Sequence, residues 1–223
     1  MSIKLFFQAI IKFFAGVIIL ALLLFVPAGS LRYWNAWLFL VVLFVPMFCA
    51  GIVLMIKNPE LLKKRLSAKE EESEQKQVIL FSGLMFIAVF VVAGLNYRFI
   101  WHQLPDRVVI IATILFIFAY ILYAEVLREN TYLSRTIEVQ ENQKVIDTGL
   151  YGIVRHPMYM ATLLLFLSMP LILGSIYSFV IMFVYIPIIA KRIKNEEKVL
   201  EEGLEGYKEY KQKVRYKVIP FIW

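Results

Sequence analysis

The sequence is poor in the residues that cross-link chains and bind metals. It contains one cysteine, Cys49, and two histidines, His102 and His156. A single cysteine cannot form a disulfide within the chain, and the two histidines lack the paired spacing that metal sites use. We therefore predict no bound metal, and we interpret Cys49 as a buried small apolar residue within the second apolar segment.

Charged residues are scarce as well, at 18% of the 223 residues, whereas 61% are hydrophobic. A soluble domain of this size does not need so much apolar surface, so we predict an all-α, polytopic membrane protein. The last two of its six apolar segments are short, flank Gly174-Ser175 and are expected to form a tight hairpin, which is tilted or spans only in part. A cytosolic helix, Lys191 to Lys213, is expected to follow. The six segments are Leu5–Val26, Trp34–Ile56, Val78–Ile100, Val108–Leu127, Met158–Leu173 and Ile176–Ala190.

The distribution of positive charge predicts the orientation. Six spans place 21 of the 24 Lys and Arg residues on one side, and only Arg32, Arg98 and Arg107 on the other. Both termini are therefore predicted to be cytoplasmic. The net charge of +7 needs no nucleic-acid partner, because basic residues at a membrane surface meet anionic headgroups. The first segment is longer than a signal-peptide core, so we expect an uncleaved span.

The chain divides into two parts of different character. Residues 1–126 hold the first four transmembrane segments, and residues 127–223 hold the polar residues that could perform chemistry. The loop between Lys57 and Gln77 places leucines among lysines. This pattern fits an interfacial helix and a solvated linker equally well.

The tripeptide Arg155-His156-Pro157 directly precedes the fifth apolar segment. Proline suits the first turn of a helix and keeps the residue before it out of the helical conformation. Arg155 and His156 are therefore expected at a helix N-terminus, where free N–H groups and the helix dipole favour an anion. Arg155 could equally be a positive-inside anchor for that helix.

A second polar group, Arg192, Glu196 and Glu197, follows the last apolar segment. Arg192 and Glu196 lie four residues apart and share a helix face, which a surface ion pair would also explain. The hairpin brings the residues before 158 beside those after 190. An Arg, a His and two carboxylates then converge at the membrane surface. This set suits a zwitterionic ligand with a carboxylate, an amine and ribose hydroxyls.

These residues fall into two motifs that resemble one family, the isoprenylcysteine carboxyl methyltransferases, which also takes in phospholipid methyltransferases. The resemblance covers roughly residues 126–223, and the first four segments match only in being apolar. Ala161 replaces a frequent glycine, and Gly203-Leu204-Glu205-Gly206 replaces the usual aromatic-Gly pair. The motifs are Asn130-x-Tyr132-x-Ser134 … Gln140 … Thr148-Gly149-x-Tyr151-x-x-Val154-Arg155-His156-Pro157-x-Tyr159 and Arg192-x-x-x-Glu196-Glu197-x-x-Leu200 … Tyr207-x-x-Tyr210 … Pro220.

The resemblance implies an integral membrane methyltransferase that uses S-adenosylmethionine. Its partner would be a membrane lipid or a lipidated small molecule that enters from the bilayer. Arg192 and His156 are the implied catalytic residues. The implied cofactor-binding residues are Tyr151, Arg155, His156, Pro157, Tyr159, Glu196 and Glu197.

The acceptor is left open by the motifs. A carboxylate is already ionised at neutral pH and needs no base, whereas an amine must first lose a proton to a neutral His156 or a glutamate. We favour carboxyl O-methylation of a prenylcysteine-like acceptor. The alternatives are N-methylation of a phospholipid amine, an NADPH enzyme of the sterol-reductase type, and a lipid-binding membrane protein without catalysis.

Overall fold

The computed structural model describes residues 3–66, 73–133 and 139–223. This part of the chain forms α-helices, one short 3-10 helix at Gly149–Gly152 and no β-strand. The predicted all-α polytopic class is therefore confirmed. The helices are α1 (Ile3–Ala28), α2 (Trp34–Lys57), α3 (Pro59–Leu66), α4 (Ser73–Phe99), α5 (Asp106–Glu129), α6 (Pro157–Ile172), α7 (Ile176–Met182), α8 (Tyr185–Gly203) and α9 (Tyr207–Lys213).

Five helical stretches in the described residues are long and apolar enough to cross a membrane. The fifth apolar segment, α6, has 16 residues, which is about 24 Å of helix and less than a typical hydrocarbon core. This length agrees with the prediction that the fifth segment is short. The five long stretches are Leu5–Ala28, Trp34–Lys57, Ile79–Phe99, Asp106–Glu129 and Ile176–Gly203.

The end of the last span differs from the prediction. The helix does not stop at Ala190, because α8 runs without a break to Gly203. It is interrupted earlier, at Phe183 and Val184, between α7 and α8. Pro187 explains that interruption, since proline lacks an N–H and its ring clashes with the carbonyl four residues before it. The predicted separate helix from Lys191 to Lys213 is therefore wrong in its bounds: only the short α9 stands apart.

One buried cluster draws on α1, α2, α4, α5, α6, α7 and α8. Phe39 of α2 and Phe116 of α5 are fully buried and meet edge to face, with ring centroids 6.0 Å apart. Large aliphatic side chains such as Ile18 and Ile114 point outward instead, with 57% and 61% of their surface exposed. Cys49 is exposed on the same apolar exterior, so its predicted burial is wrong. An apolar exterior around an apolar core is what a bilayer requires.

The helices α1 and α4 approach closely at Gly94. A Cβ atom there would lie 2.6 Å from the carbonyl oxygen of Leu24 and 3.0 Å from the amide nitrogen of Ala28. Only glycine fits between the two backbones, which fixes α4 against the first helix.

The turn between α6 and α7 lies at the end of the bundle opposite to the start of α6. Gly174 takes a φ of +72°, and its carbonyl accepts a hydrogen bond from Leu104, 3.1 Å away. Asn35 of α2 donates to the carbonyl of Ile172. His102 belongs to this end, beside the same loop. In the 57–77 loop, which connects α2 to α4 along the chain, the leucine-containing segment forms a helix, α3.

Candidate active site

Four parts of the chain meet around the start of α6. Pro157 is the first residue of that helix, and His156 precedes it with φ −127° and ψ 63°, outside the helical region. The second part of α8 passes beside this corner, and the segments 139–154 and 214–217 enclose it. The hairpin brings the two predicted polar groups together, as expected from the sequence.

A buried network joins Arg155, His156 and Glu197. The Arg155 Nε donates to Glu197 Oε1 at 2.8 Å, and the His156 Nε2 lies 3.2 Å from the same oxygen. These three side chains are between 4% and 6% exposed. A buried carboxylate is tolerated here because two partners and their hydrogen bonds offset its lost hydration.

A second chain of contacts runs through Tyr159 at the first turn of α6. Its hydroxyl donates to Glu196 Oε2 and accepts a bond from the Arg192 Nε at 3.0 Å. The other Glu196 oxygen lies 3.9 Å from His156 Nδ1. Glu196 and Glu197 therefore meet the same imidazole from two sides.

The segment 214–217 is bonded to the corner by backbone and side-chain contacts. The amides of Arg155 and His156 donate to the carbonyls of Tyr216 and Lys217 at 2.9 and 2.8 Å. The Arg155 Nη1 donates to the carbonyls of Val214 and Arg215 at 2.7 and 2.8 Å. We call residues 214–217 the C-terminal strap.

A cleft opens beside this network. It encloses about 100 Å³, and about 860 Å³ when the open space at its mouth is included. Small-molecule sites typically measure about 300–1,000 Å³, so a ligand here would extend into the mouth. The lining combines charged or polar side chains with apolar and aromatic ones: Asn130, Gln143, Lys144, Arg155, His156, Tyr159, Arg192 and Glu196, and Tyr132, Leu133, Val145, Ile146, Tyr151, Met158, Leu200, Leu204, Tyr207 and Tyr210.

The lining changes from charged to apolar along one face of α8. Arg192, Glu196 and Leu200 follow at intervals of four residues, and Leu204 comes directly after the helix, so charge gives way to apolar surface over about 12 Å of helix. The apolar end is a cluster in which the buried Leu204, Tyr207, Tyr210 and Val214 pack with Leu200, Val139 and Val145. The helical spacing of leucine and tyrosine in this region thus produces packing against protein.

Three tyrosines of the cleft differ in their hydrogen bonds. Tyr151 accepts from Asn130 Nδ2 at 2.9 Å, and Tyr210 donates to the Tyr151 carbonyl at 2.7 Å. The Tyr207 hydroxyl is buried and has no hydrogen-bond partner among the described residues. Burial, with Glu197 and Glu196 nearby, raises the pKa of Tyr207 well above its ordinary value, so its hydroxyl remains a donor at neutral pH.

Residues 108–205 match the family model of the phospholipid methyltransferases. The match confirms the resemblance found in the sequence. It begins within α5 and ends at the turn after α8, and so contains the Arg155-His156-Pro157 corner and the Glu196-Glu197 pair. No curated protein matches the chain.

Most of the residues predicted for the site lie along the cleft beside this network. Tyr151, Arg155, His156, Tyr159, Arg192 and Glu196 are in its lining, whereas Pro157 and Glu197 are not. Glu197 lies behind the lining, where its second oxygen is 3.5 Å from the Lys217 Nζ. Pro157 starts the helix that carries Tyr159. The roles assigned to these residues stay predictions.

Twelve of the 18 lining residues were not singled out from the sequence as site residues, and Lys144 and Tyr207 are two of them. Lys144 lies in the non-helical segment before the 3-10 helix, and no sequence motif around it indicates a binding residue. Tyr207 was quoted only as a motif position on an apolar helix face, and its unsatisfied hydroxyl could not be inferred from spacing. Ser134 of the first motif lies outside the described residues. Gln140 of that motif donates to the carbonyl of Tyr132.

Proposed function

We propose that this protein is an integral membrane methyltransferase that uses S-adenosylmethionine to methylate a lipid acceptor, with a prenylcysteine-like carboxylate as the leading acceptor. The observation that carries the proposal is the graded cleft beside the His156–Glu197 network, within a segment of the phospholipid methyltransferase family. We further propose that residues 127–223 form the catalytic part and that both termini are cytoplasmic.

The cleft fits the chemical character of the cofactor. S-adenosylmethionine joins a zwitterionic amino-acid group to a nucleoside, and the cleft has a charged end and an apolar, aromatic end. The buried Tyr207 hydroxyl, unsatisfied among the described residues, offers a hydrogen-bond donor to a ligand at the apolar end. When bound, the cofactor would supply an activated methyl group.

The residues at the charged end would bind and orient. We assign Glu196 to the cofactor's amine or ribose, because a carboxylate accepts such donors. Tyr159 holds Glu196 and Arg192 in a fixed relation through one hydroxyl. Arg192 would then orient an anionic acceptor. Rate enhancement in a displacement of this kind depends largely on such positioning.

The charge of the lining favours an anionic acceptor. Among the described lining residues, Arg155 is paired with Glu197, Lys144 and Arg192 are the other cations, and Glu196 is the one carboxylate. A carboxylate acceptor is attracted to this surface, while an ammonium headgroup is repelled. It also needs no base, because it is ionised at neutral pH.

N-methylation of a phospholipid amine is the second candidate. The family match is to phospholipid methyltransferases, and an amine must lose a proton before it attacks. His156, held 3.2 Å from Glu197, would be the group to accept that proton. The sterol-reductase-type and non-catalytic alternatives have no comparable support.

A methyl-transfer assay tests the proposal. Purified protein in lipid nanodiscs would be incubated with methyl-labelled S-adenosylmethionine and either a prenylcysteine or phosphatidylethanolamine. Base-labile label in the prenylcysteine supports O-methylation, and base-stable label in the phospholipid supports the second candidate. No transfer and no binding of S-adenosylhomocysteine, together with binding of NADPH, would contradict both. Glu196→Gln should abolish most activity, because Glu196 lines the cleft. His102→Ala, at the opposite end of the bundle, is the control and should keep the activity.

A further inference from the structure

We infer that Arg155 is a positioning residue: it holds the C-terminal strap against the start of α6 and thereby orients His156, instead of binding the cofactor's carboxylate directly. The inference rests on the proposed function only for its affinity measurements. Its structural part concerns contacts that exist without any ligand.

The donors of Arg155 carry the argument. A guanidinium has five N–H donors, and three of them are used within the chain. Nε donates to Glu197, and both hydrogens of Nη1 go to the carbonyls of Val214 and Arg215. The side chain is only 4% exposed. A group held by three bonds at such burial is fixed by the fold before a ligand arrives.

The C-terminal strap also fixes the backbone of Arg155 and His156. The Arg155 and His156 amides donate to strap carbonyls of Tyr216 and Lys217. The residue after the strap, Val218, is fully buried in the main core. Arg155 thus links the strap to Glu197, and Glu197 contacts the His156 imidazole. Loss of this link should loosen the strap and change the setting of His156 while the helical bundle stays intact.

Arg155→Lys is the test variant, because lysine keeps the charge but cannot reproduce the planar fork. Amide hydrogen exchange of Arg155 and His156, whose amides donate to strap carbonyls, should rise at least about tenfold, because the strap loosens. Lys213→Gln is the matched control: it breaks the exposed 2.7 Å pair between Lys213 and Asp147, beside the strap, and should leave this exchange within about twofold.

Two further readouts separate positioning from direct binding and from a merely structural role. Affinity should fall by the same factor for S-adenosylhomocysteine and for 5′-methylthioadenosine, which lacks the carboxylate. The imidazole ¹⁵N spectrum should change for His156 and not for His102, the only other histidine. Weakening confined to S-adenosylhomocysteine, or an unchanged His156 signal with normal exchange, would overturn the inference.

The wild-type protein gives a test that does not depend on folding of the variant. Its Arg155 and His156 amides should exchange slowly with solvent, and fast exchange would overturn the inference that the C-terminal strap is held against the start of α6. If the wild type binds neither nucleoside, the proposed function fails. The exchange and ¹⁵N results then still decide whether Arg155 holds the strap and sets His156.

Discussion

Replacing Tyr207 with phenylalanine is expected to stabilise the ligand-free protein and to weaken its binding of S-adenosylhomocysteine. The Tyr207 side chain is buried, and its hydroxyl has no partner among the described residues. An unsatisfied buried polar group costs about 1–3 kcal/mol, so its removal should raise the stability of the ligand-free protein by about 1 kcal/mol or more. If the hydroxyl bonds the ligand, its loss should weaken binding by about 0.5–1.5 kcal/mol, roughly two- to thirteenfold.

Tyr210→Phe is the matched control for this prediction. Tyr210 lies on the same short helix, and its hydroxyl donates to the carbonyl of Tyr151 at 2.7 Å. Removing that hydroxyl takes away a formed bond and leaves a carbonyl without its donor, which should lower stability by about 1 kcal/mol. The two substitutions remove the same atom from neighbouring tyrosines and are expected to shift stability in opposite directions.

Thermal unfolding in nanodiscs, with and without S-adenosylhomocysteine, measures both effects. Tyr207→Phe should raise the Tm of the ligand-free protein and reduce the further rise that the ligand produces. Equal decreases in Tm for Tyr207→Phe and Tyr210→Phe would refute the reasoning, because the Tyr207 hydroxyl would then have a partner. A raised Tm with unchanged affinity would leave the hydroxyl unsatisfied but outside the ligand site.

Three other substitutions test the packing and the location of the site. Glu197→Ala should lower the free energy of unfolding by about 3–5 kcal/mol, because Arg155 would remain buried without its carboxylate; Glu197→Gln, measured by the same denaturation, should cost less. Gly94→Ala should destabilise by about 1–3 kcal/mol because its Cβ meets the backbone of α1, whereas Gly83→Ala, with open space around it, should be neutral or stabilising; equal effects would contradict the close approach. His102→Ala should leave affinity for S-adenosylhomocysteine within about twofold by calorimetry, since His102 lies at the opposite end of the bundle.

Sequence reasoning located the spans because hydropathy is a sum over local residues, and the bilayer acts on that sum directly. The start of α6 was also predictable, since Pro157 constrains its own φ and its neighbour's conformation. The end of the last span was not. Composition changes at Lys191, but lysine, glutamate and arginine are good helix formers, so the helix continues to Gly203.

The convergence of His156 with Glu196 and Glu197 followed from the sequence through one topological step, the hairpin at Gly174-Ser175. Three features were decided by tertiary structure alone. The strap is joined to Arg155 by bonds to backbone carbonyls, and every residue has a carbonyl, so nothing in the sequence identifies the acceptors. In the part of the chain that the structure describes, the Tyr207 hydroxyl has no partner, while that of Tyr210 is satisfied. The close approach at Gly94 likewise depends on which helix lies opposite. Hydrophobicity and proline geometry act locally and can be read from the chain, whereas hydrogen-bond satisfaction and interhelical distance depend on residues far apart in sequence.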